Sequence, residues 1–263
     1  MSDAIFTPQG DLFLPSPLAR GPWSPDAQHG GAPAALLART VERFEDGARM
    51  FVARLTIELL RPVPIAPLAV RTRFVRPGKK VQLLEASLLA ADTEVARCTA
   101  LRIRREAVPV PSDLPTVATP PGPDTGSDSL PPWSAQVTYA AFHNAGVEHR
   151  FVAGSFLLPG PSTDWIRLRV PLVAGEDTSP LCRVAAAADF GNGVSWVLSR
   201  VEGWQFINPD LTIHLLRHPA GEWVCLEAVT LPGPDGIGLA ESRLWDERGV
   251  IGRSQQSLLL ERG

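Results

Sequence analysis

The sequence predicts an α+β protein made of two fused copies of one unit, in which an apolar helix packs on an antiparallel sheet. The first observation is a repeat: six of the eight residues at 55–62 recur at 211–218, at an offset of 156 residues (211 − 55). Each repeat follows a segment of small residues typical of a helix, and each precedes apolar runs separated by turn residues. An ordered set of elements that occurs twice indicates an internal duplication.

The first predicted helix spans 32–44 and opens after Gln28-His29-Gly30-Gly31. It is almost wholly apolar through Ala38. A helix that is apolar on all sides is buried on all sides, so we expect a sheet wrapped around it. The second predicted helix spans 182–201 and is interrupted by Gly191-Asn192-Gly193.

The strands of the first copy are predicted from apolar runs and short turns, at 51–60, 68–75, 81–90 and 94–104. Such short turns indicate antiparallel neighbours. In the second copy, 236–245 and 251–261 repeat the last two of these runs. Strict alternation predicts a further strand at 165–170, and a short alternating segment at 13–20 predicts an edge strand.

Three segments follow from this pattern: an N-terminal unit at 1–105, a linker at 106–133 and a C-terminal unit at 134–263. The linker is dense in Pro, Gly, Ser and Thr and lacks apolar periodicity. Such a segment either runs semi-extended between the units or is a disordered tether, and the sequence leaves both open.

Composition excludes several classes of protein. The formal net charge of −3 provides no basic surplus for a nucleic acid partner. Three scattered cysteines indicate a reducing compartment without disulfides, and their spacing does not predict a metal site. Residues 1–20 lack a signal-peptide pattern and no apolar run is long enough to span a membrane, so a cytoplasmic location is expected.

Four motifs carry a family resemblance: His29-Gly30-Gly31, the turn at 76–79, Ala-Ala-Asp-Phe at 187–190 and Arg-Ser-Gln-Gln-Ser-Leu-Leu at 253–259. In this order, and with the duplication, the chain resembles the acyl-CoA thioesterase II family, which has a double hotdog fold. The resemblance covers nearly the whole chain outside the linker. It implies hydrolysis of fatty acyl-CoA by a water that an Asp, a Thr or Ser, and a Gln position, without a metal or other cofactor.

The resemblance carries the family Asp to Asp189 and the Gln to Gln256, with Gln255 as the alternative one residue away. The hydroxyl position falls on Asn208, so either Asn208 substitutes or Thr212 serves. An Asn side chain hydrogen-bonds a water but has no hydroxyl.

Comparison of the copies gives a separate argument for Asp189, which stands where copy one has Gln28-His29. A carboxylate within a run of Ala costs desolvation energy, and a nearby helix N-terminus would keep it ionised. An ionised carboxylate beside a water is a general base. The alternative is that Asp189 is a helix cap or faces solvent.

The comparison of the two copies also bears on the candidates Gln256 and Thr212. Gln256 replaces Ala100 of copy one, where an amide could hold a water or simply point outward from a strand. Thr212 is matched by Thr56, and this symmetry favours a structural role for both.

Two further groups are candidates for ligand contact. The N–H groups of Gly30 and Gly31 could receive oxyanion charge, although the two glycines could equally serve close packing. Arg76, Lys79 and Lys80 form a basic turn that suits the phosphates of coenzyme A, or is a solvated hairpin tip.

The sequence therefore predicts a cytoplasmic acyl-CoA thioesterase of lipid metabolism. A non-catalytic acyl-CoA-binding protein is the first alternative, favoured by the missing hydroxyl. The second is an enoyl-CoA hydratase, because 208–214 superficially resembles a hydratase signature. A homo-oligomer, as a dimer of double hotdogs, is left open.

Overall fold

The computed structural model describes residues 4–44, 49–111, 113–114, 117–127, 137–199 and 202–263. The helices are α1 (Gly31–Glu42), α2 (Pro180–Ala188) and α3 (Gly191–Val194). The strands of the first half are β1 (Phe6–Gln9), β2 (Leu12–Pro15), β3 (Met50–Leu59), β4 (Leu68–Arg76), β5 (Val81–Ala90) and β6 (Thr93–Arg104). Those of the second half are β7 (Val147–Ala153), β8 (Ser162–Leu168), β9 (Trp204–Ile207), β10 (Asp210–Leu215), β11 (Val224–Pro232), β12 (Ile237–Asp246) and β13 (Gly249–Arg262).

These strands join in one 13-stranded sheet in the described part of the chain, in the order β1-β2-β4-β5-β6-β3-β10-β13-β12-β11-β8-β7, with β9 paired to β13. Outward from the central β3–β10 pair, the strands β6, β5 and β4 on one side correspond to β13, β12 and β11 on the other. The offset of 156 residues that the repeat showed also relates β4 to β11 (224 − 68) and β5 to β12 (237 − 81). The fold is the predicted α+β double hotdog, with both halves sharing a continuous sheet.

The repeated segment forms the junction of the two halves. Strands β3 and β10 pair antiparallel, and Thr56 lies opposite Thr212. A local two-fold axis therefore passes between these threonines. Their neighbours Leu55, Ile57 and Leu211 are buried toward the helices, so both threonines face the outer side of the sheet. This placement agrees with the structural role that their symmetry favoured.

The core lies between the sheet and the helices α1 and α2, which pack against each other. Every residue of α1 from Gly31 to Ala38 is buried, as predicted. The second helix differs from its prediction. It begins at Pro180, where the Ser179 hydroxyl accepts a hydrogen bond from the Cys182 N–H, and it ends at Ala188. The separate α3 contains the glycines of the predicted interruption, which have low helix propensity.

The described part of the linker packs against the second half. The Trp165 indole donates to the Pro121 carbonyl over 2.8 Å, and Ser127 forms a bridge with Phe151. Pro123 is buried. Residues 112, 115–116 and 128–133 of the linker, with 134–136 beyond it, lie outside the described residues. In the part of the chain that is described, no helix is long and apolar enough to cross a membrane.

Candidate active site

Asp189 is the C-cap residue of α2 and lies at the junction of the two halves. The C-cap of α1 is Arg43, so Asp189 corresponds to Arg43 and the predicted match to Gln28-His29 is wrong. The Asp189 carboxylate instead reaches across to the N-terminus of α1, where the Gly31 N–H is one of its hydrogen-bond donors. The helix N-terminus that was expected near Asp189 therefore comes from the other half of the molecule.

Three side chains contact this carboxylate. His29 Nδ1 lies 3.0 Å from Asp189 Oδ2, and the Asn208 amide donates to Oδ1 over 2.8 Å. Gln256 Nε2 donates to the Asp189 carbonyl over 3.1 Å and lies 3.4 Å from Oδ1. Because these donors come from both halves, the arrangement exists only in the assembled double unit.

The proton on His29 can be assigned from these contacts. The Gly31 nitrogen lies 3.1 Å from His29 Nδ1. This distance would suit a hydrogen bond from the Gly31 N–H to an unprotonated Nδ1. The Asp189 carboxylate needs a donor at the same atom, and one ring nitrogen cannot both donate and accept. We therefore place the proton on Nδ1, donated to Asp189, and direct the Gly31 N–H to the carboxylate. His29 is held for this contact between Phe142 and Phe190, with ring centroids 5.2 and 4.4 Å away.

Asp189 is buried, and this burial has the largest single effect on its pKa, an upward one. The hydrogen bond and charge of His29, with hydrogen bonds from Asn208 and the Gly31 N–H, together outweigh burial. They hold the pKa of Asp189 below its ordinary value. The carboxylate is thus ionised at neutral pH although water is largely excluded from it.

The glycines at the start of α1 permit this close approach of the two helices. A Cβ on Gly30 would lie 2.8 Å from Asp189 Oδ2, and one on Gly31 would lie 2.6 Å from the Ala186 carbonyl oxygen. The packing alternative for both glycines is therefore observed. The Gly31 N–H serves Asp189, against its predicted oxyanion role, whereas Gly30 lines the adjoining cavity.

Replacement of Gly30 by Ala is expected to lower the acyl-CoA hydrolysis that the family resemblance implies at least about tenfold, because the new methyl group displaces the Asp189 carboxylate from its hydrogen bonds. Steady-state hydrolysis rates measure the effect. Gly122→Ala is the matched control, since nothing lies within 4 Å of a Cβ there. Equal rates for Gly30→Ala and Gly122→Ala would contradict the tight geometry at Asp189.

A cavity of about 810 Å³ opens beside Asp189. His29, Gly30, Asp189 and Asn208 contribute to its wall, together with His143 and Asn192. Much of the remaining wall is apolar or aromatic and includes Trp23, Tyr139, Phe156, Leu157, Phe190, Trp196, Leu198 and Phe206. A polar, charged end and an aromatic body are the features of a site for an amphipathic ligand.

The structure brings Asp189, Asn208 and Gln256 together, but it places two other candidates on the opposite face of the sheet. The buried residues of β13 include Gln256, while Gln255 is exposed, so the alternative assignment to Gln255 is wrong. Thr212 pairs with Gln255 on that outer face and does not reach Asp189. His214 is exposed there too, so the hydratase-like segment does not assemble a site around Asn208.

The predicted phosphate-binding residues Arg76, Lys79 and Lys80 lie at the turn between β4 and β5. That turn is at the other end of the β3–β10 junction, where the Lys80 carbonyl accepts a hydrogen bond from the Arg104 N–H. None of the three lines the Asp189 cavity.

Two contacts of the site were missed from the sequence. His29 was recognised only as part of a motif, although a histidine directly before a buried helix start is a natural partner for a carboxylate. The Gln256 Oε1 atom accepts from the Asn192 N–H over 3.1 Å, and the Gln256 side chain is buried rather than part of the cavity wall. No sequence signal marks this contact.

Two helix-on-sheet halves that share one continuous sheet, with a cavity at their junction, define the class of double hotdog proteins. Two family models match the chain: the acyl-CoA thioesterase N-terminal domain over residues 19–103 and the acyl-CoA thioesterase C-terminal domain over 111–260. The chain therefore belongs to the acyl-CoA thioesterase family. No curated protein matches it.

Solved structures share the fold over nearly the whole chain. A proposed thioesterase II from Thermobifida fusca is 18% identical with a TM-score of 0.75, covering 97% of this chain and 94% of that one. An acyl-CoA thioesterase II from Mycobacterium marinum is 18% identical with a TM-score of 0.68, covering 97% and 94%. A hot dog fold protein of unknown function from Alicyclobacillus acidocaldarius is 16% identical with a TM-score of 0.70, covering 99% and 97%.

Proposed function

We propose that this protein hydrolyses acyl-CoA thioesters to a free acid and coenzyme A, with Asp189 as the general base. The observation that carries the proposal is the Asp189 carboxylate itself, ionised and buried at the charged end of an aromatic cavity. An ionised carboxylate that excludes bulk water but faces a substrate cavity is suited to take a proton from one bound water.

Asn208 is the second group that would hold this water. Its Nδ2 atom donates to Asp189 Oδ1 over 2.8 Å, which leaves its Oδ1 atom to accept from a water in the cavity. The amide thus supplies the acceptor that a hydroxyl would supply at this position. Of the two alternatives for the hydroxyl position, we retain Asn208 and set Thr212 aside, because Thr212 faces the outer side of the sheet.

Gln256 is better described as a positioning residue. Its Nε2 donates to Asp189, its Oε1 accepts from the Asn192 N–H, and its side chain is 2% exposed. With both ends engaged by the protein, the Gln256 amide fixes the Asp189 backbone and carboxylate rather than the water.

The reaction then follows from this geometry. Water attacks the thioester carbonyl as Asp189 takes its proton, and the carbonyl oxygen becomes an oxyanion for which the N–H of Gly30, in the cavity wall, is a candidate donor. Collapse breaks the carbon–sulfur bond, and the departing thiolate takes the proton back from Asp189. The aromatic wall, which includes Phe156 and Phe190, would cover the acyl chain.

Release of free thiol across a panel of acyl-CoA chain lengths tests the proposal. Thiol release that saturates with substrate supports hydrolysis. The rival function is non-catalytic acyl-CoA binding, which the Asn at position 208 favours because it offers no hydroxyl. Tight binding of every acyl-CoA without thiol release would establish that rival and reject hydrolysis.

The pH dependence of hydrolysis is expected to report on His29. Asp189 acts when ionised, and its pKa is held below the ordinary value, so kcat/KM falls only as pH drops through that lowered pKa. His29→Phe keeps the stacking on Phe142 and Phe190 but removes the donor, so burial prevails and the pKa rises. The acid limb of the kcat/KM profile should then move to higher pH.

His29→Asn is the matched control, since its amide can donate to the carboxylate and should shift the acid limb less. Profiles of kcat/KM against pH for both variants make the comparison. An acid limb in His29→Phe that coincides with the wild-type limb would show that His29 does not govern the ionisation of Asp189.

A further inference from the structure

A second cavity, of about 1180 Å³, lies at the other end of the β3–β10 junction. The Asp189 cavity adjoins Asn208, just before β10 begins, whereas the second cavity is lined by Met50 and Phe51 at the start of β3 and by Leu215 at the end of β10. Because β3 and β10 run antiparallel about the local two-fold axis, the second cavity is the counterpart of the first.

The second cavity also holds a carboxylate, one residue before Arg43, the counterpart of Asp189. Glu42, the last residue of α1, lines the second cavity and hydrogen-bonds Ser179, the N-cap of α2. Burial raises the pKa of Glu42, against the lowering effects of Ser179, Arg43 and Arg105. Each cavity thus holds a carboxylate from the end of one helix against the start of the other.

The amide that positions Asp189 has no counterpart. Gln255 lies opposite Thr212, and Thr99 lies opposite Thr56, so the residue equivalent to Gln256 is Ala100. Glu42 therefore lacks the amide donor that Gln256 supplies to Asp189. The second cavity therefore has the shape of a ligand site but lacks the equipment for hydrolysis.

The wall of the second cavity is rich in positive charge. It includes five arginines and two glutamates, namely Arg49, Arg102, Arg104, Arg105, Arg217, Glu42 and Glu106. Arg104 pairs with Glu106, and Arg217 with Asp246. Among the described residues, neither Arg49 nor Arg105 has a carboxylate within ion-pair distance. The basic turn at 76–80 lies at this same end, although the whole chain carries a net charge of −3.

An aromatic surface lies next to Arg105. The rings of Phe51 and His218 are 4.8 Å apart between centroids, and the Arg105 guanidinium lies over Phe51 at 5.5 Å. Guanidinium groups bind phosphate oxygens in a bidentate manner, and an aromatic ring offers a surface on which a base can stack.

We propose that the cavity lined by Arg49, Arg105 and Phe51 is a second site, which binds a phosphate-bearing ligand of the nucleotide class without hydrolysing it. The site is separate from Asp189, so it stands whether or not the protein is a thioesterase. It also assigns a place to the basic turn of Arg76, Lys79 and Lys80, whose charge adds to the attraction at this end of the molecule.

Isothermal titration calorimetry with 3′,5′-ADP, coenzyme A and inorganic diphosphate tests the proposal on the full chain. The variant is Arg49→Ala/Arg105→Ala, in which both residues are exposed and their loss should leave the fold intact. The control is Arg61→Ala/Arg71→Ala, which removes the same charge at exposed positions that line neither cavity. Thermal melts of both variants check folding.

We expect the wild type and the control to bind 3′,5′-ADP, and the Arg49→Ala/Arg105→Ala variant to bind it at least about tenfold more weakly. Binding of diphosphate as tight as that of 3′,5′-ADP identifies the phosphate alone as the recognised group, and tighter nucleotide binding adds the base. Absence of binding to the wild type, or equal affinities in the two double variants, would overturn the proposal.

Discussion

Replacement of Asp189 by Asn is expected to lower kcat/KM for acyl-CoA hydrolysis by about 10²–10⁴, the usual contribution of a general base. The substitution keeps the shape of the side chain, which reaches from the end of α2 to the start of α1, but it removes the charge that would accept a proton from water. The pKa of Asp189 is held low by His29, Asn208 and the Gly31 N–H, so its carboxylate is ionised at neutral pH. Thiol release at saturating and limiting substrate measures the loss.

Asp177→Asn is the matched control, because Asp177 is exposed and the chemical change is identical. It should leave hydrolysis unchanged. A coincident thermal melt for both variants would show that the loss at position 189 is not one of folding. If Asp189→Asn released thiol as fast as the wild type, Asp189 would have no part in the chemistry.

The architecture could be predicted because its signals are local. Apolar runs bounded by turn residues mark the strands β3 to β6, and the predicted strand 81–90 coincides with β5. The duplication added long-range information, since an identical offset along four strands implies an identical fold for each half. What the repeat could not give was that the two copies pair with each other through Thr56 and Thr212.

The helices of the two halves were harder to match from the sequence, because the offset that relates the strands does not relate α1 to α2. Asp189 corresponds to Arg43, an offset of 146 residues (189 − 43), ten fewer than the strand offset. The chain between α2 and β10 is longer than that between α1 and β3, and it contains α3. Neither the strand offset, which leads to Pro33 (189 − 156), nor the predicted match to Gln28-His29 finds the counterpart of Asp189.

Other assignments failed although the sequence held a usable signal. Leu211, Ile213 and Leu215 alternate as buried residues, which places Thr212 on the outer face. The basic turn at 76–80 follows a strand that ends away from Asp189, but the end at which a turn lies depends on the strand order, which only the structure provides.

The same alternation along β13 places Gln256 on the buried face and Gln255 on the exposed face. Substitution of Gln256 is therefore expected to have the second large effect. Gln256→Ala removes a donor to Asp189 and leaves the buried Asn192 N–H without its acceptor. We expect hydrolysis to fall by about 10–100-fold through misplacement of the base, and unfolding free energy to fall by about 2–4 kcal/mol. Gln255→Ala, exposed on the other face, should change stability by less than about 0.5 kcal/mol and leave hydrolysis intact.

Gln256→Glu distinguishes positioning from simple loss of stability. Its carboxylate can still accept from the Asn192 N–H, so the variant should be more stable than Gln256→Ala. A second carboxylate beside Asp189 disfavours ionisation of the pair, so the acid limb of the kcat/KM profile should move to higher pH. Chemical denaturation and pH–rate profiles give the two readouts. An unshifted acid limb in Gln256→Glu, with activity that tracks stability alone across the variants, would reduce Gln256 to a residue of the core.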